Sequence, residues 1–248
     1  MKIAVVYDNR SLRHELSPAW GFSCLVDDEL LFDTGADGPR LLSNVGQMGL
    51  EVGRIKSVVL SHAHGDHTGG LGGILAVNKG ITVYLPRSFR NRFKEQVKAH
   101  ARVVEVHEPM EIAEGIYTTG EMGRGLVEQA LVLVTNQGPS AGSGQGPWAG
   151  SGRSLVVVTG CAHPGIVGML HRAKQISGNG VYLAIGGFHL SVVNRRKIED
   201  IIAEFRRLGV QKVAPCHCTG SRAMEMFAAE YGDDFIKAGV GMVLDIEP

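Results

Sequence analysis

Cysteine is scarce in this sequence, with four residues in 248, at positions 24, 161, 216 and 218. So few, so unevenly spaced, exclude a disulfide-framed secreted scaffold and fit thiols kept reduced in a cytosol. Net charge is lacking too: 25 Lys and Arg balance 25 Asp and Glu. No overall field therefore exists to attract a nucleic-acid backbone or an anionic membrane surface. No apolar run approaches the ~20 residues that span a bilayer. The stretch from Met1 to Arg10 holds a short apolar run that ends at Asp8, too brief for the core of an export signal. It reads as a first strand. What remains is a hydrophobic fraction of 44%, ample for a sizeable core. The expectation is a soluble cytoplasmic protein that handles a small molecule.

Short β-branched runs recur and predict strands at Ile3 to Tyr7, Cys24 to Val26, Leu30 to Phe32, Ser57 to Leu60, Ile81 to Leu85, Val103 to Val106, Leu131 to Thr135, Leu155 to Thr159, Val181 to Ile185 and Gln211 to Ala214. The clearest helix runs from Asn194 to Leu208. There Ile198, Ile201, Ile202, Phe205 and Leu208 recur at helical spacing, with Arg195, Arg196, Lys197, Glu204 and Arg207 on the other face. Weaker helical patterns cover Pro39 to Met48, Gly69 to Val77, Ser88 to Ala99, Pro164 to Gln175 and Ser221 to Tyr231. Adjacent strands dominate the first half and strand–helix alternation the second, which predicts one layered α/β domain over residues 1–248. The stretch 138–152, GPSAGSGQGPWAGSG, has almost no apolar side chains and reads as a mobile insertion at a hairpin tip. Trp148 within it is read as incidental, with closure over a substrate as the functional alternative.

The chemistry lies after the apolar run Ser57 to Leu60, in Ser61-His62-Ala63-His64-Gly65-Asp66-His67. Four metal-binding side chains fall between positions 62 and 67. In an extended segment alternate side chains share a side, so His62 and His64 can grip one ion, while a turn at Gly65 re-aims Asp66 and His67 toward a second. Imidazole with carboxylate suits two divalent ions, zinc first, with manganese or iron as alternatives.

The motif His-x-His-x-Asp-His after a strand, with Asp33-Thr34-Gly35 upstream, resembles the metallo-β-lactamase superfamily. That resemblance covers essentially the whole chain and implies an αββα sandwich with two metals at one edge. It implies that Asp33 supports the metal loop from behind. It also implies that the remaining ligands are His163, in Thr159-Gly160-Cys161-Ala162-His163-Pro164, and His217, in Pro215-Cys216-His217-Cys218-Thr219-Gly220, each at a strand end. Pro164 is expected as the first residue of the following helix. By resemblance, His62, His64 and His163 hold one metal and Asp66, His67 and His217 the other. The chain departs from the family where relatives carry a bridging aspartate in Thr-Gly-Asp, because Cys161 stands there. Cys161 as thiolate, Glu121 from Gly120-Glu121-Met122, or water alone could bridge; Cys161 could equally be a buried apolar residue.

Asp66 and His189, in Gly186-Gly187-Phe188-His189, are the candidate catalytic groups, His189 for substrate contact or proton transfer. Cys216 and Cys218 are expected to pack away from His217, and His14, His100, His107 and His171, outside any motif, to lie at the surface. Together with Trp20-Gly21-Phe22-Ser23, these motifs resemble one subgroup, the 7,8-dihydropterin-6-methyl-4-(β-D-ribofuranosyl)aminobenzene 5′-phosphate synthases. Three functions follow as expectations: a zinc hydrolase acting on a phosphoester or ester, a methanopterin-type transferase that condenses a dihydropterin with an arylamine and releases pyrophosphate, and a non-catalytic metal-binding module. Dioxygen-reducing di-iron relatives usually place Glu where His64 stands, which favours zinc.

Overall fold

The computed structural model describes residues 1–136 and 153–247. The stretch expected to be a hairpin-tip insertion, 138–152, and Trp148 with it, lie outside the described residues.

Strands that are mostly buried along their length build two sheets. In chain order the first contains β1 (Lys2–Tyr7), β2 (Ser23–Val26), β3 (Leu30–Phe32), β4 (Ser57–Val59), β5 (Thr82–Pro86) and β6 (Arg102–Val106). The second contains β7 (Met110–Ala113), β8 (Ile116–Thr118), β9 (Leu131–Thr135), β10 (Ser154–Thr159), β11 (Gly180–Gly187) and β12 (Lys212–Cys216). The final strand, β13 (Val243–Asp245), returns to the first sheet, whose order is β13-β1-β2-β3-β4-β5-β6; the second runs β12-β11-β10-β9-β8-β7. The helices are α1 (Gly38–Gln47), α2 (Gly65–Thr68), α3 (Leu71–Val77), α4 (Asn91–Lys98), α5 (Ile166–Ser177), α6 (Arg195–Arg207) and α7 (Ser221–Tyr231).

Period-two side-chain alternation assigns each strand residue to a layer. Val5, Cys24, Phe32, Val59, Leu131, Val156, Val158 and Ile185 meet in one core between the sheets. Their neighbours in sequence point the other way. Val6, Leu25, Leu31 and Val58 pack under Leu41, Ile74 and Val97 of α1, α3 and α4, and Leu155, Val157 and Ala184 pack under Leu170, Phe205 and Phe227 of α5, α6 and α7. The result is the expected αββα order, four layers deep. Strands buried on both faces need continuous apolar runs, which is why these strands were legible in the sequence.

Two expectations change. Pro164 does not begin α5. The turn from Ala162 to Gly165 is closed by the Gly165 N–H donating to the Ala162 carbonyl at 2.9 Å, with Ala162 at φ 59°, so the helix starts only at Ile166. Strands β7, β8 and β13 were not foreseen. Each has three or four residues and β7 and β13 are only half-buried or exposed, too short and too mixed for a periodic signal. Among the described residues no helix is long and apolar enough to cross a membrane.

Candidate metal centre

β1, β3 and β4 run parallel, as do β10, β11 and β12, so their carboxyl ends share one rim. Each end delivers polar residues there: Asp8 and Asn9 after β1, Asp33 after β3, Ser61 to His67 after β4, Cys161 to His163 after β10, His189 after β11, and His217 after β12. Open α/β sheets place ligands at such carboxyl ends because the chain must leave the sheet there, freeing side chains from the core. Gly160 makes the close packing possible, since a Cβ at that position would collide with Ser61 Oγ and the Asp33 carboxylate.

The rings converge. His62 Nε2 lies 3.1 Å from His64 Nδ1, and His67 Nε2 lies 3.2 Å from His217 Nε2. Ring centroids of His62 and His163 are 4.6 Å apart, and those of His62 and His67 are 4.2 Å apart. Asp66 Oδ2 stands 3.4 Å from His217 Nε2. The Cys161 sulfur sits 3.3 Å from His67 Nε2. Its sulfur falls within 4.8 Å of ligand atoms in two sets, one with His62 and His163 and one with His67 and His217.

The far nitrogens of His62, His67, His163 and His217 are each committed to an oxygen, whereas His64 turns its Nδ1 toward His62 Nε2. Asp33, fully buried, accepts from the Ser61 N–H and Oγ–H, each at 2.7 Å, and from His67 Nδ1 at 2.7 Å. Ser61 Oγ, having donated its proton, accepts from His62 Nδ1 at 2.8 Å. Asn9 Oδ1 takes His217 Nδ1 at 3.1 Å, and Asp8 Oδ1 accepts the His217 N–H at 3.0 Å. Glu128 Oε2 accepts His163 Nδ1 at 2.8 Å. With these partners as acceptors, each Nδ1 carries the proton and each Nε2 presents a bare lone pair to the interior. Ring nitrogens, a carboxylate and a thiol face one another here, with His67 the ring most inclined to hold a proton that a cation would displace. The donor set fits divalent cations.

Electrostatics agree with this arrangement. Burial, followed by the charge of His67, drives the His62 pKa down to about 2, so this ring stays neutral. Burial opposes charge on His67 as well, but the adjoining Asp33 carboxylate outweighs it and raises that pKa. Asp66 would be raised by burial, yet the neighbouring His217 and His67 rings hold it well below the usual carboxylate range. The Cys218 contact and burial hold the Cys161 thiol up, so a cation must displace its proton to use the sulfur.

All six histidines and aspartates expected as ligands meet at this rim. Glu121 does not: its carboxylate accepts the Ser88 N–H at 2.6 Å and pairs with His107 Nδ1 at 2.7 Å, which removes it as a bridge. His107 is thus a surface residue with a partner. His14, His100 and His171 are exposed, as expected. Cys216 packs in the inter-sheet core, but Cys218 turns toward the site, its sulfur within 4.8 Å of the Cys161 sulfur and a His189 ring nitrogen. The reason is the 3-10 turn His217–Thr219, which breaks the strand alternation assumed from sequence. His189, in left-handed backbone at φ 51°, sets its ring 4.4 Å from that of His163.

Sequence reasoning missed Glu128, Asp8 and Asn9. Glu128 is fully buried. Besides His163 Nδ1, it accepts the N–H groups of Cys161 and Ala162 at 2.8 Å and of His163 at 2.9 Å. Burial alone would raise its pKa, but His163, His62 and these N–H groups hold it at about 2. Gln129 beside it binds Leu60 and Ser61, so this dipeptide ties the loop after β4 to the loop after β10. The signal was weak: a lone acid and amide in Gly125-Leu126-Val127-Glu128-Gln129.

The family model of the metallo-beta-lactamase superfamily matches residues 24–162. The 7,8-dihydropterin-6-methyl-4-(beta-D-ribofuranosyl)-aminobenzene-5'-phosphate synthase of Methanocaldococcus jannaschii is 32% identical over 272 residues, covering 92% of this chain and 91% of that one. Tm1679, a solved metal-dependent hydrolase of the β-lactamase superfamily, superimposes with a TM-score of 0.79 at 28% identity over the whole of both chains. The metallo-beta-lactamase fold protein YhfI from Bacillus subtilis, at 15% identity and a TM-score of 0.65 over 98% of each chain, shares the fold. With the family model spanning more than half of its length and a relative at 32% identity along 92% of it, this chain belongs to the metallo-beta-lactamase superfamily.

Proposed function

We propose that the chain is a single-domain, dinuclear zinc hydrolase that cleaves a phosphoester or ester in a small molecule. One observation carries this reading: ring nitrogens with their far sides tied to Asp33, Ser61, Asn9 and Glu128 converge around the Cys161 sulfur. His62, His64 and His163 would hold one ion and Asp66, His67 and His217 the other, and the Cys161 sulfur, near both sets of ring nitrogens, would be available to either. Two such ions supply Lewis acidity, drawing electron density from a phosphoryl or carbonyl oxygen and acidifying a water. The chain's own groups do the rest. Asp66, kept ionised, accepts the hydrogen bond that orients the attacking water. His189, exposed beside His163, passes a proton to the leaving group. Trp20, 59% exposed with its ring 4.9 Å from that of His217, walls the opposite side. Four free, buried cysteines fit a reducing compartment, the cytoplasm.

A second reading has its own support in the 32% identity to a protein named as a synthase. The same ions could neutralise a departing diphosphate while a dihydropterin joins an arylamine. Two measurements decide. Elemental analysis is expected to find about two ions per chain, and His64→Ala or His217→Ala to lose at least one; a folded protein that takes up none overturns both enzyme readings. The zinc-loaded protein is then given a phosphodiester panel, and separately a dihydropterin diphosphate with and without an arylamine. Hydrolysis without amine supports the hydrolase. Amine-dependent pyrophosphate release replaces it with the synthase, and turnover of neither leaves a binding module.

A further inference from the structure

Behind His163 and His189 lies a cavity of about 310 Å³ that His62, His64, His67 and His217 do not line. That volume is at the lower end of the range for small-molecule sites and has room for a fused aromatic body. Its walls are apolar: Ile166 and Val167 from α5, Leu190 and Val193 from the segment after β11, and Ile201 from α6. His163 is the partition. One side of its ring meets His62, with centroids 4.6 Å apart, and another meets His189 at 4.4 Å, so a molecule in the cavity abuts the histidine cluster. A larger groove of about 840 Å³ between α3 and α4 is also apolar, but it stops at Thr68 and reaches none of the residues from Ser61 to His67.

The cavity is not uniformly apolar. Lys197, in the first turn of α6, lines it, and no Asp or Glu does. Of the other cations on that helix, Arg195 pairs with Glu199, Arg206 with Glu230 and Arg207 with Glu204, and Arg196 does not line the cavity. Lys197 has no salt bridge among the described residues. Gly165 and Ile166, at the start of α5, also line it, and no side chain caps that helix, so its first N–H groups add positive potential there. An apolar slot with an unspent cation favours a ligand of matching build.

We propose that this cavity binds the body of the substrate, a compact aromatic or similarly apolar group that carries an acidic function held by Lys197, with the reacting bond projecting past His163. This deepens the enzyme reading above, on which it rests for the place of reaction; occupancy of the cavity can be tested apart from it.

The test is equilibrium binding to the full chain of naphthalenesulfonate, which is anionic, and naphthalenemethanol, which is neutral. Naphthalenesulfonate is expected to bind at one site per chain. Lys197→Ala should weaken it about tenfold while leaving naphthalenemethanol within about twofold, and Lys197→Arg should restore the anion. Val193→Trp and Ile201→Trp should abolish binding of both. Naphthalenesulfonate that binds the folded Trp variants as it does the native chain overturns the proposal, and so does a Lys197→Ala variant that weakens both probes equally. The Lys197 variants keep it falsifiable if the Trp variants do not fold. Zinc content of the same samples reports separately on the enzyme reading: a chain that takes the anion through Lys197 but no zinc keeps the cavity and loses the metal centre, whereas one that takes zinc but not the anion keeps the centre and loses the cavity.

Discussion

Glu128 shows how one residue can decide a site it does not join. Its two oxygens take four donors from Cys161, Ala162 and His163, and so fix both the turn of the loop after β10 and the tautomer of His163. Glu128→Gln keeps the volume but turns an NH₂ toward N–H donors, leaving one side unsatisfied. The expected result is a loss of metal affinity of about tenfold to hundredfold, read by competition against a chromogenic chelator, with circular dichroism unchanged; affinity equal to the native chain would reject the role. A second prediction concerns His62. Its folded pKa of about 2 lies below the ordinary 6.5, so the unfolded ring gains a proton below pH 6.5 that the folded ring refuses. Stability of the chelator-stripped chain should therefore fall as pH drops from 6.5 toward 2, with a contribution of up to about 1.4 kcal/mol per pH unit from this ring. His67, whose folded pKa is raised, adds no slope there, because below 6.5 it is protonated in both states. Urea titrations of the stripped native chain and of His62→Gln test this: the two pH profiles should diverge below 6.5, and parallel profiles would contradict the cause given.

At the scale of elements, α6 links packing to the site. Its apolar stripe was readable from the sequence because Ile198, Ile202 and Phe205 recur at helical spacing, and Asn194 caps it by accepting the Lys197 N–H at 3.0 Å. Phe205 then packs against Phe188 and Phe227, with ring centroids 5.5 and 5.1 Å away. Phe188 immediately precedes His189. Phe205→Ala should therefore cost about 3–5 kcal/mol in urea unfolding, whereas Asn194→Ala should cost about 1 kcal/mol; equal costs would show that the aromatic cluster is not what anchors this layer. Strands β7, β8 and β13 escaped notice for the opposite reason. Their few residues gain order from neighbouring strands, not from a pattern of their own.

Across the whole molecule the candidate metal centre draws its side chains from both sheets. His62, His64, Asp66 and His67 leave the first sheet, whereas Cys161, His163 and His217 leave the second. On the proposed reading, metal bound between them would favour the folded chain, stabilising it by linkage by about 4 kcal/mol when free metal is a thousandfold above its dissociation constant. Chelation should lower the melting temperature and added zinc should restore it. A melting temperature indifferent to both would mean that the sheets are not bridged in this way.

The sequence by itself determined the layers and the first candidate ligands. Doubly buried strands require unbroken apolar runs, and four ligands clustered in one short segment need no distant partner to be recognised. Only the tertiary structure decided what those ligands lean on. Asp8, Asn9 and Glu128 are ordinary polar residues until the ends of β1, β10 and β12 bring them under His217 and His163. The exclusion of Glu121 and the turning of Cys218 toward Cys161 were likewise settled by contacts between segments far apart in the chain, where side-chain alternation has no authority.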